Sequence, residues 1–146
     1  MNVKGIVESL VRKYHTRDPY ELADFLGIEI VRCELGKIRG YFIQKYRIKQ
    51  IFLNHNLDRR EEKLVLAHEI GHSIMHPDVN TPFLQNHTGF STNKFEIEAN
   101  KFAACLLIPD EVMLENCYLT TDQLSRLFGY GKSIIELRQD MYREIL

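Results

Sequence analysis

The segment from Arg59 to Met75 constrains the fold more than any other part of the sequence. Its apolar residues recur at helical intervals and cover more than one side of the helix: Leu64, Val65, Leu66, Ala67, Ile70 and Ile74. Asp58 is expected to cap the first turn, and Pro77 to stop the helix from continuing. Because a helix that is apolar on several sides must be surrounded by protein, we expect this helix in the middle of the fold.

Three ionisable residues interrupt this apolar helix. His68, Glu69 and His72 form an HExxH motif, in which the two histidines lie one helical turn apart on one face and can bind a single tetrahedral metal ion. Glu69 projects about 100° away from His68. That offset keeps Glu69 out of the ligand set but beside the open coordination position, where it can act as a general base on water. The motif therefore predicts a zinc peptidase site with Glu69 as the catalytic residue.

A catalytic zinc ion requires a third protein ligand, and two downstream histidines are possible ligands. On a straight helix His76 would lie about 12 Å along the axis from His68, so it reaches the same ion only if the helix ends before it. His87 falls in a polar segment over residues 77–92, which we expect to be a surface loop. Such a loop could bring His87 to the metal, although a loop histidine is more often simply solvated.

A second apolar helix, predicted from Lys94 to Leu107, offers two carboxylates. Its buried face is expected to carry Phe95, Ala99, Phe102 and Leu106. Glu98 lies close to that face, where a carboxylate needs a compensating charge that Zn²⁺ can supply. Glu96 projects about 160° away from Glu98, so only one of the two is expected to bind the metal. Glu98 is the expected third ligand, and Glu96 is the alternative.

The remaining patterns predict an α+β fold in a single domain over residues 1–146. Helices are predicted over residues 3–15, 19–26, 121–128 and 132–145, and strands over residues 28–33, 40–44 and 50–53. We expect a short antiparallel three-stranded sheet packed on a mainly helical core. Residues 1–57 would form the N-terminal helices and the sheet, residues 58–110 the metal-site helices, and residues 111–146 a helical C-terminal tail.

Composition and charge argue against several other classes of protein. The 146 residues are 45% hydrophobic and carry a net charge of -1, without the basic stripe that phosphate contacts need. Residues 123–130 faintly resemble a helix-turn-helix, but the tail from Leu119 holds four basic and four acidic residues, so we expect packing on the core and no nucleic-acid binding. No apolar run is long enough for a membrane span. Three cysteines without a CxxC pair are typical of reduced thiols, which favours the cytoplasm.

The stretch from Gly36 to Pro109 resembles the ImmA/IrrE family of metallopeptidases. Gly40, the run Ile51–Asn54 and the entry segment Asp18–Ile28 are similar to that family. The two most specific blocks are Leu66-Ala67-His68-Glu69-Ile70-Gly71-His72 and Glu96-Ile97-Glu98-Ala99-Asn100-Lys101-Phe102-Ala103-Ala104-Cys105-Leu106-Leu107-Ile108-Pro109. The resemblance implies a small zincin-like domain with a gluzincin arrangement. Carried across by position, it places zinc on His68, His72 and Glu98, with Glu69 as the base.

The same resemblance implies a protein substrate. Members of the family often accompany helix-turn-helix repressors in phages and integrative elements, and cleave them to derepress the element or stress genes. We therefore expect a site-specific endopeptidase that cleaves such a repressor, with extended substrate pairing along an edge of the sheet. The alternative is a non-catalytic zinc-containing module that sequesters a repressor or an antitoxin-type partner. Tyr41, Tyr46 and His87 are candidates for the oxyanion partner, and the sequence favours none of them.

Overall fold

The computed structural model describes residues 1–78 and 94–144. Within these residues the chain forms seven helices and three strands, in an order that confirms the α+β fold class and the helical C-terminal part. The elements are α1 Val3–Tyr14, α2 Pro19–Phe25, β1 Ile28–Cys33, β2 Gly40–Lys45, β3 Ile48–Asn54, α3 Arg59–Met75, α4 Lys94–Leu107, α5 Asp110–Glu115, α6 Thr121–Phe128 and α7 Lys132–Arg143.

Short polar side chains fix where several helices begin. The Asp18 carboxylate accepts a hydrogen bond from the Tyr20 N–H at 3.0 Å, and the Asp58 carboxylate accepts one from the Glu61 N–H at 2.9 Å. Thr120 forms a full capping box with Gln123 at the start of α6. Each of these caps satisfies an N–H group that the first helical turn leaves without an intrahelical partner.

A few predicted bounds differ from the structure. The short helix α5 was not predicted, and β3 starts at Ile48, two residues before the predicted start. Most of the expected loop over residues 77–92, including His87, lies outside the described residues, as does the predicted end of the last helix at Ile145.

The sheet is mixed, whereas the sequence analysis expected all strands to pair antiparallel. β2 and β3 form an antiparallel hairpin, but β1 pairs with β3 in parallel, and the strand order is β1-β3-β2. β3 takes the central position because it carries Ile51 and Leu53, which have no exposed surface. In the part of the chain that the structure describes, no further strand pairs with the outer edge of β2.

Helix α3 lies in the middle of the fold, as its apolar pattern predicts. It packs against α2, β2, β3 and α4. Leu66, Ala67 and Ile70 have no exposed surface, and they join the main apolar core with residues of α1, α2, the sheet and α4. Because α3 carries the HExxH motif, this packing fixes the position of the motif relative to all neighbouring elements.

Gly71 lets α3 and α4 approach each other closely. A Cβ atom at this position would lie 3.0 Å from both Cβ and Cγ of Phe102, which has no exposed surface. Any larger residue would therefore push α4 away from α3. The glycine inside the HExxH motif thus sets the separation of the two helices that carry the site.

The last helix is attached to the core by a buried arginine. Arg138 of α7 is 1% exposed, and its Nε donates to the Ile108 carbonyl at 2.7 Å while its Nη2 pairs with Asp110 at 2.5 Å. A second apolar cluster of Ile108, Met113, Leu124 and Ile135 surrounds this contact. The tail therefore packs on the core, as expected. No helix in the described ranges is long and apolar enough to cross a membrane.

We expect Arg138→Met to lower the free energy of unfolding by about 1–3 kcal/mol, because it removes charged hydrogen bonds and leaves the buried Ile108 carbonyl unsatisfied. Urea denaturation measures this loss. Arg143→Met is the matched control on the same helix, since the Arg143 side chain is 68% exposed and, in the described part of the chain, pairs with the exposed Asp140. The control is expected to change stability by less than about 0.5 kcal/mol. Equal losses in the two variants would contradict the proposed attachment of α7.

Candidate metal centre

The two motif histidines converge as the sequence predicts. His68 and His72 lie one turn apart on α3, and their Nε2 atoms are 3.1 Å apart. Their rings meet edge to face, with centroids 4.7 Å apart. His72 has no exposed surface, and the His68 side chain is only 12% exposed. Two nitrogen atoms that can each donate a lone pair therefore face one point in a nearly solvent-free position.

Glu96 of α4 contributes the third converging group. Its Oε1 lies 2.7 Å from Nε2 of His72, and its Oε2 lies 3.2 Å from Nε2 of His68. A tetrahedral zinc ion with bonds of about 2.0–2.1 Å holds neighbouring ligand atoms roughly 3.3 Å apart. The three separations, between 2.7 and 3.2 Å, are somewhat shorter than that value, and two imidazoles with one carboxylate are a common catalytic zinc set. The donor set therefore fits a tetrahedral metal ion.

Glu98, the expected third ligand, faces a different partner. Its carboxylate Oε1 lies 3.1 Å from Nε2 of His76. It is not part of the group in which the Nε2 atoms of His68 and His72 converge. The sequence analysis placed Glu98 correctly near the buried face, since it is 7% exposed. It did not anticipate that His76, which follows the end of α3, would supply the partner that a buried carboxylate requires. The alternative, Glu96, occupies the position expected for Glu98.

Facing pairs of residues on α3 and α4 explain why Glu96 and not Glu98 meets the two histidines. Glu96 and Asn100 are one turn apart on α4, as His68 and His72 are on α3, and the two pairs face each other. The Asn100 Oδ1 atom lies 2.8 Å from Nδ1 of His68, on the ring side opposite the converging Nε2 atoms. The matching four-residue spacings in the sequence could have pointed to Glu96 and Asn100 together, because residues four apart share a helix face.

Glu69 lies beside the converging atoms. It has no exposed surface in spite of its charge, and its Oε2 is 3.8 Å from Nε2 of His68. His68, Glu69 and His72 form a group whose ligand atoms all lie within 4.8 Å of one another. Because Glu69 is farther from the histidine nitrogens than Glu96 is, it is placed to act on a molecule next to the metal position.

A cleft of about 270 Å³ opens onto these side chains. It is lined by Arg39, Leu64, Val65, His68, Glu69, Glu96, Asn100, Ser133 and Ile134. Four parts of the fold therefore contribute to its wall, namely the residue before β2, helix α3, helix α4 and the first turn of α7. Among these lining residues Arg39 is the only one with a permanent positive charge, and the sequence analysis did not identify it.

The electrostatics of the site favour an anionic Glu96 and a neutral His72. Burial alone would raise the pKa of Glu96, but its contacts with His68 and His72 outweigh burial and hold this pKa far below the usual range. Burial lowers the pKa of His72, opposed by Glu96 and assisted by the neighbouring histidines. At His68 burial also lowers the pKa, but Glu96, Glu69 and Asn100 together raise it above the usual value. The site therefore keeps Glu96 as an anion and His72 neutral near neutral pH.

The residues considered for oxyanion stabilisation are not in this cleft where the structure describes them. Tyr41 stacks on Phe52 with ring centroids 4.8 Å apart. Tyr46 sits between β2 and β3 and is 88% exposed. His87 falls outside the described residues. Within those residues, neither tyrosine lines the cleft.

Comparisons with known proteins agree with the resemblance noted in the sequence. The model of a peptidase family, described as the IrrE N-terminal-like domain, matches residues 23–139, which include the whole candidate site. The chain is 38% identical over 139 residues to "Uncharacterized immunity region protein 2" of Bacillus phage phi105, across 93% of this chain and 88% of that protein. It is also 28% identical over 113 residues to "Metallopeptidase ImmA" of Bacillus subtilis (strain 168), across 77% of this chain and 67% of that protein.

The family match covers α3 and α4 together with most of the sheet and the tail. The match therefore extends beyond the HExxH motif to all the elements that build the site. From its family match and its relatives, the chain belongs to the peptidase M78 family of metallopeptidases, the family of the IrrE N-terminal-like domain.

Proposed function

We propose that this chain is a zinc-dependent endopeptidase that cleaves a helix-turn-helix transcriptional repressor. The observation that carries the proposal is the convergence of His68, His72 and Glu96 on one point, with the buried Glu69 beside it. A structural zinc site would use four protein ligands, whereas three ligands leave a position open for catalysis. Membership of a metallopeptidase family supports the same reading.

Zinc is the metal that best suits this set of donors. Two imidazole nitrogens and one carboxylate in near-tetrahedral spacing are typical of Zn²⁺ rather than of Mg²⁺ or Ca²⁺, which prefer oxygen ligands. Bound to His68, His72 and Glu96, zinc would act as a Lewis acid on the peptide carbonyl and would make water more acidic. In this assignment Glu96 takes the role that the sequence analysis gave to Glu98.

Glu69 is the proposed general base and acid. Its carboxylate accepts a proton from water as the water oxygen attacks the carbonyl carbon of the peptide. When the carbon–nitrogen bond breaks, the same carboxyl group delivers that proton to the leaving nitrogen, so protons balance over the cycle. The position of Glu69 on a rigid, central helix holds the carboxylate close to the attacked carbon without a conformational change.

Arg39 is suited to stabilise negative charge that develops during the reaction. It lines the cleft with Glu69, and its nearest ion pair among the described residues, to Glu61, is long at 4.0 Å. A guanidinium group held this loosely can donate hydrogen bonds to a carbonyl oxygen as that oxygen gains charge. Arg39 therefore replaces Tyr41 and Tyr46 as the proposed oxyanion partner.

The open edge of β2 is the proposed binding site for an extended substrate segment. Strand β2 starts at Gly40, directly after Arg39 of the cleft, and no other strand in the described residues covers its outer edge. The Asn54 N–H donates to the Arg39 carbonyl at 2.9 Å. In an antiparallel ladder, every second residue of a strand bonds to the neighbouring strand, so every second residue after Arg39 bonds to β3. The residues between them direct their N–H and C=O groups outward, and Gln44 is one of these. Strand addition at this edge would guide the substrate into the cleft.

A repressor is the proposed substrate because of the family and of the phage relative. That relative is named as a protein of an immunity region. Cleavage of helix-turn-helix repressors is what the resemblance to the ImmA/IrrE family implies. The direct experiment combines the purified chain and zinc with any helix-turn-helix repressor encoded beside its gene. Cleavage at one bond, abolished by a chelator and restored by zinc, is the expected result.

Zinc binding distinguishes the two glutamates of α4. We expect Glu96→Gln to weaken zinc binding by more than about 100-fold, a larger loss than outer partners of a metal ligand cause. Glu98→Gln is the matched control on the same helix, and its effect should be about 10-fold or less. Competition with a chromogenic chelator measures both affinities. A greater loss in Glu98→Gln would restore Glu98 as the third ligand.

Removal of the proposed base tests the chemistry separately from the metal. Glu69→Gln should bind zinc with nearly the wild-type affinity but cleave the repressor about 10²–10⁴-fold more slowly, because the amide cannot accept the proton. Single-turnover cleavage followed by mass spectrometry measures the rate. If Glu69→Gln cleaved at the wild-type rate, the proposed role of Glu69 would be wrong. If the zinc-loaded wild-type protein bound the repressor without cleaving it, the alternative of a sequestering module would be favoured.

A proline at the open sheet edge tests strand addition. Gln44→Pro removes one outward N–H, which an edge strand tolerates, and should raise KM about 2–10-fold with kcat unchanged. Gln44→Ala is the control, since it changes the side chain but keeps the N–H. Steady-state cleavage of a repressor-derived peptide gives both constants. Equal KM values for the two variants would place the substrate elsewhere.

A further inference from the structure

The His72 ring has a second contact that the proposed chemistry does not use. Its Nε2 faces Glu96, while its Nδ1 lies 3.1 Å from Nδ1 of His76. The other nitrogen of His76, Nε2, lies 3.1 Å from Oε1 of Glu98. A continuous chain of hydrogen-bonding groups therefore runs from the Glu98 carboxylate through His76 to the ring of a proposed metal ligand.

This chain of groups is almost completely removed from solvent. His72 is 0% exposed, His76 is 4% exposed and Glu98 is 7% exposed. A buried histidine–carboxylate pair gives no general advantage in stability over apolar side chains of similar size, because desolvation offsets the attraction. The ring that His76 contacts belongs to the metal centre, so the more specific explanation for the pair is a role there.

Several contacts hold His76 in one orientation. It directly follows the last residue of α3, and its backbone N–H donates to the His72 carbonyl at 2.8 Å. Its ring packs edge-on against Phe95, with centroids 4.6 Å apart. Both the backbone and the ring of His76 are therefore fixed relative to the His72 ring.

The direction of the hydrogen bonds follows from the chemistry of each group. When Glu98 is ionised and His76 is neutral, Glu98 only accepts, so the proton of His76 lies on Nε2 and its Nδ1 carries a lone pair. That lone pair accepts from Nδ1–H of His72. An imidazole whose Nδ1 carries the proton has its own lone pair on Nε2, the atom that faces His68 and Glu96.

We propose that His76 and Glu98 are positioning residues that hold His72 with its Nε2 lone pair directed at the metal position. The inference rests on the proposed zinc site and assigns a role to two side chains outside the ligand set. His68 has a simpler counterpart, because Asn100 contacts its Nδ1 directly at 2.8 Å. Helix α4 therefore orients both ligand histidines, one directly and the other through His76. Outer partners of this kind orient ligands and increase metal affinity.

Two measurements on the zinc-loaded protein test the proposal. His76→Phe retains a ring beside Phe95 but removes the acceptor for Nδ1–H of His72, and we expect zinc affinity to fall about 10–100-fold. Glu98→Gln keeps a polar group opposite His76 and should lose less affinity than His76→Phe. In the wild-type protein labelled with ¹⁵N, NMR should show a proton on Nδ1 of His72 that couples to Nδ1 of His76, and a proton on Nε2 of His76. A purely structural role would not require the proton to lie on Nδ1 of His72, and this coupling reports where that proton lies.

The control is a histidine–glutamate pair away from the cleft. His55 lies 3.5 Å from Glu34 with both side chains more than half exposed, so His55→Phe should leave zinc affinity unchanged. Wild-type zinc affinity in a folded His76→Phe, or a proton on Nδ1 of His76, would overturn the inference while leaving the zinc site intact. If His76→Phe did not fold, the NMR result on the wild-type protein would decide. Failure of the wild-type protein itself to bind zinc would instead overturn the proposed function and this inference with it.

Discussion

The close contact between α3 and α4 is the constraint on which the rest of the structure depends. Gly71 and Phe102 set the separation of the two helices, and the site is built from side chains that meet across that contact. Helix α3 supplies two imidazoles and Glu69, while α4 supplies Glu96, which contacts both imidazoles, and Asn100, which contacts His68. A change in the separation of these helices would alter every distance in the centre at once, because packed cores transmit such shifts.

The centre also concentrates charge in the most buried part of the fold. Glu69, His72, His76 and Glu98 are all at least nine-tenths buried, a costly arrangement unless each group has a partner. Local partners offset this cost, since Glu96 contacts His72, His76 contacts both His72 and Glu98, and the apolar residues of α3 pack on the other sides. The tail completes the site through the first turn of α7, which Arg138 attaches to the core.

Prediction of side-chain geometry succeeded where one helix contains the whole pattern. The convergence of His68 and His72 follows from their spacing alone, because residues four apart on a helix share a face. The choice between Glu96 and Glu98 could not be made in this way. Both lie on the same helix, and burial correctly singled out Glu98 as the more buried of the two. The decisive fact was that His76 turns out of α3 at its end and pairs with Glu98, which leaves Glu96 to face the imidazoles.

The sequence by itself determined most of the helices and strands and the central position of α3, and it predicted that His68 and His72 converge. These follow from local periodicity, capping residues and fixed spacings within one element. Only the tertiary structure decided the parallel pairing of β1, the facing of Glu96 and the placement of Arg39 in the cleft. Each of these depends on how separate elements are oriented relative to one another. That orientation is set by packing between residues far apart in the chain, which no local pattern records.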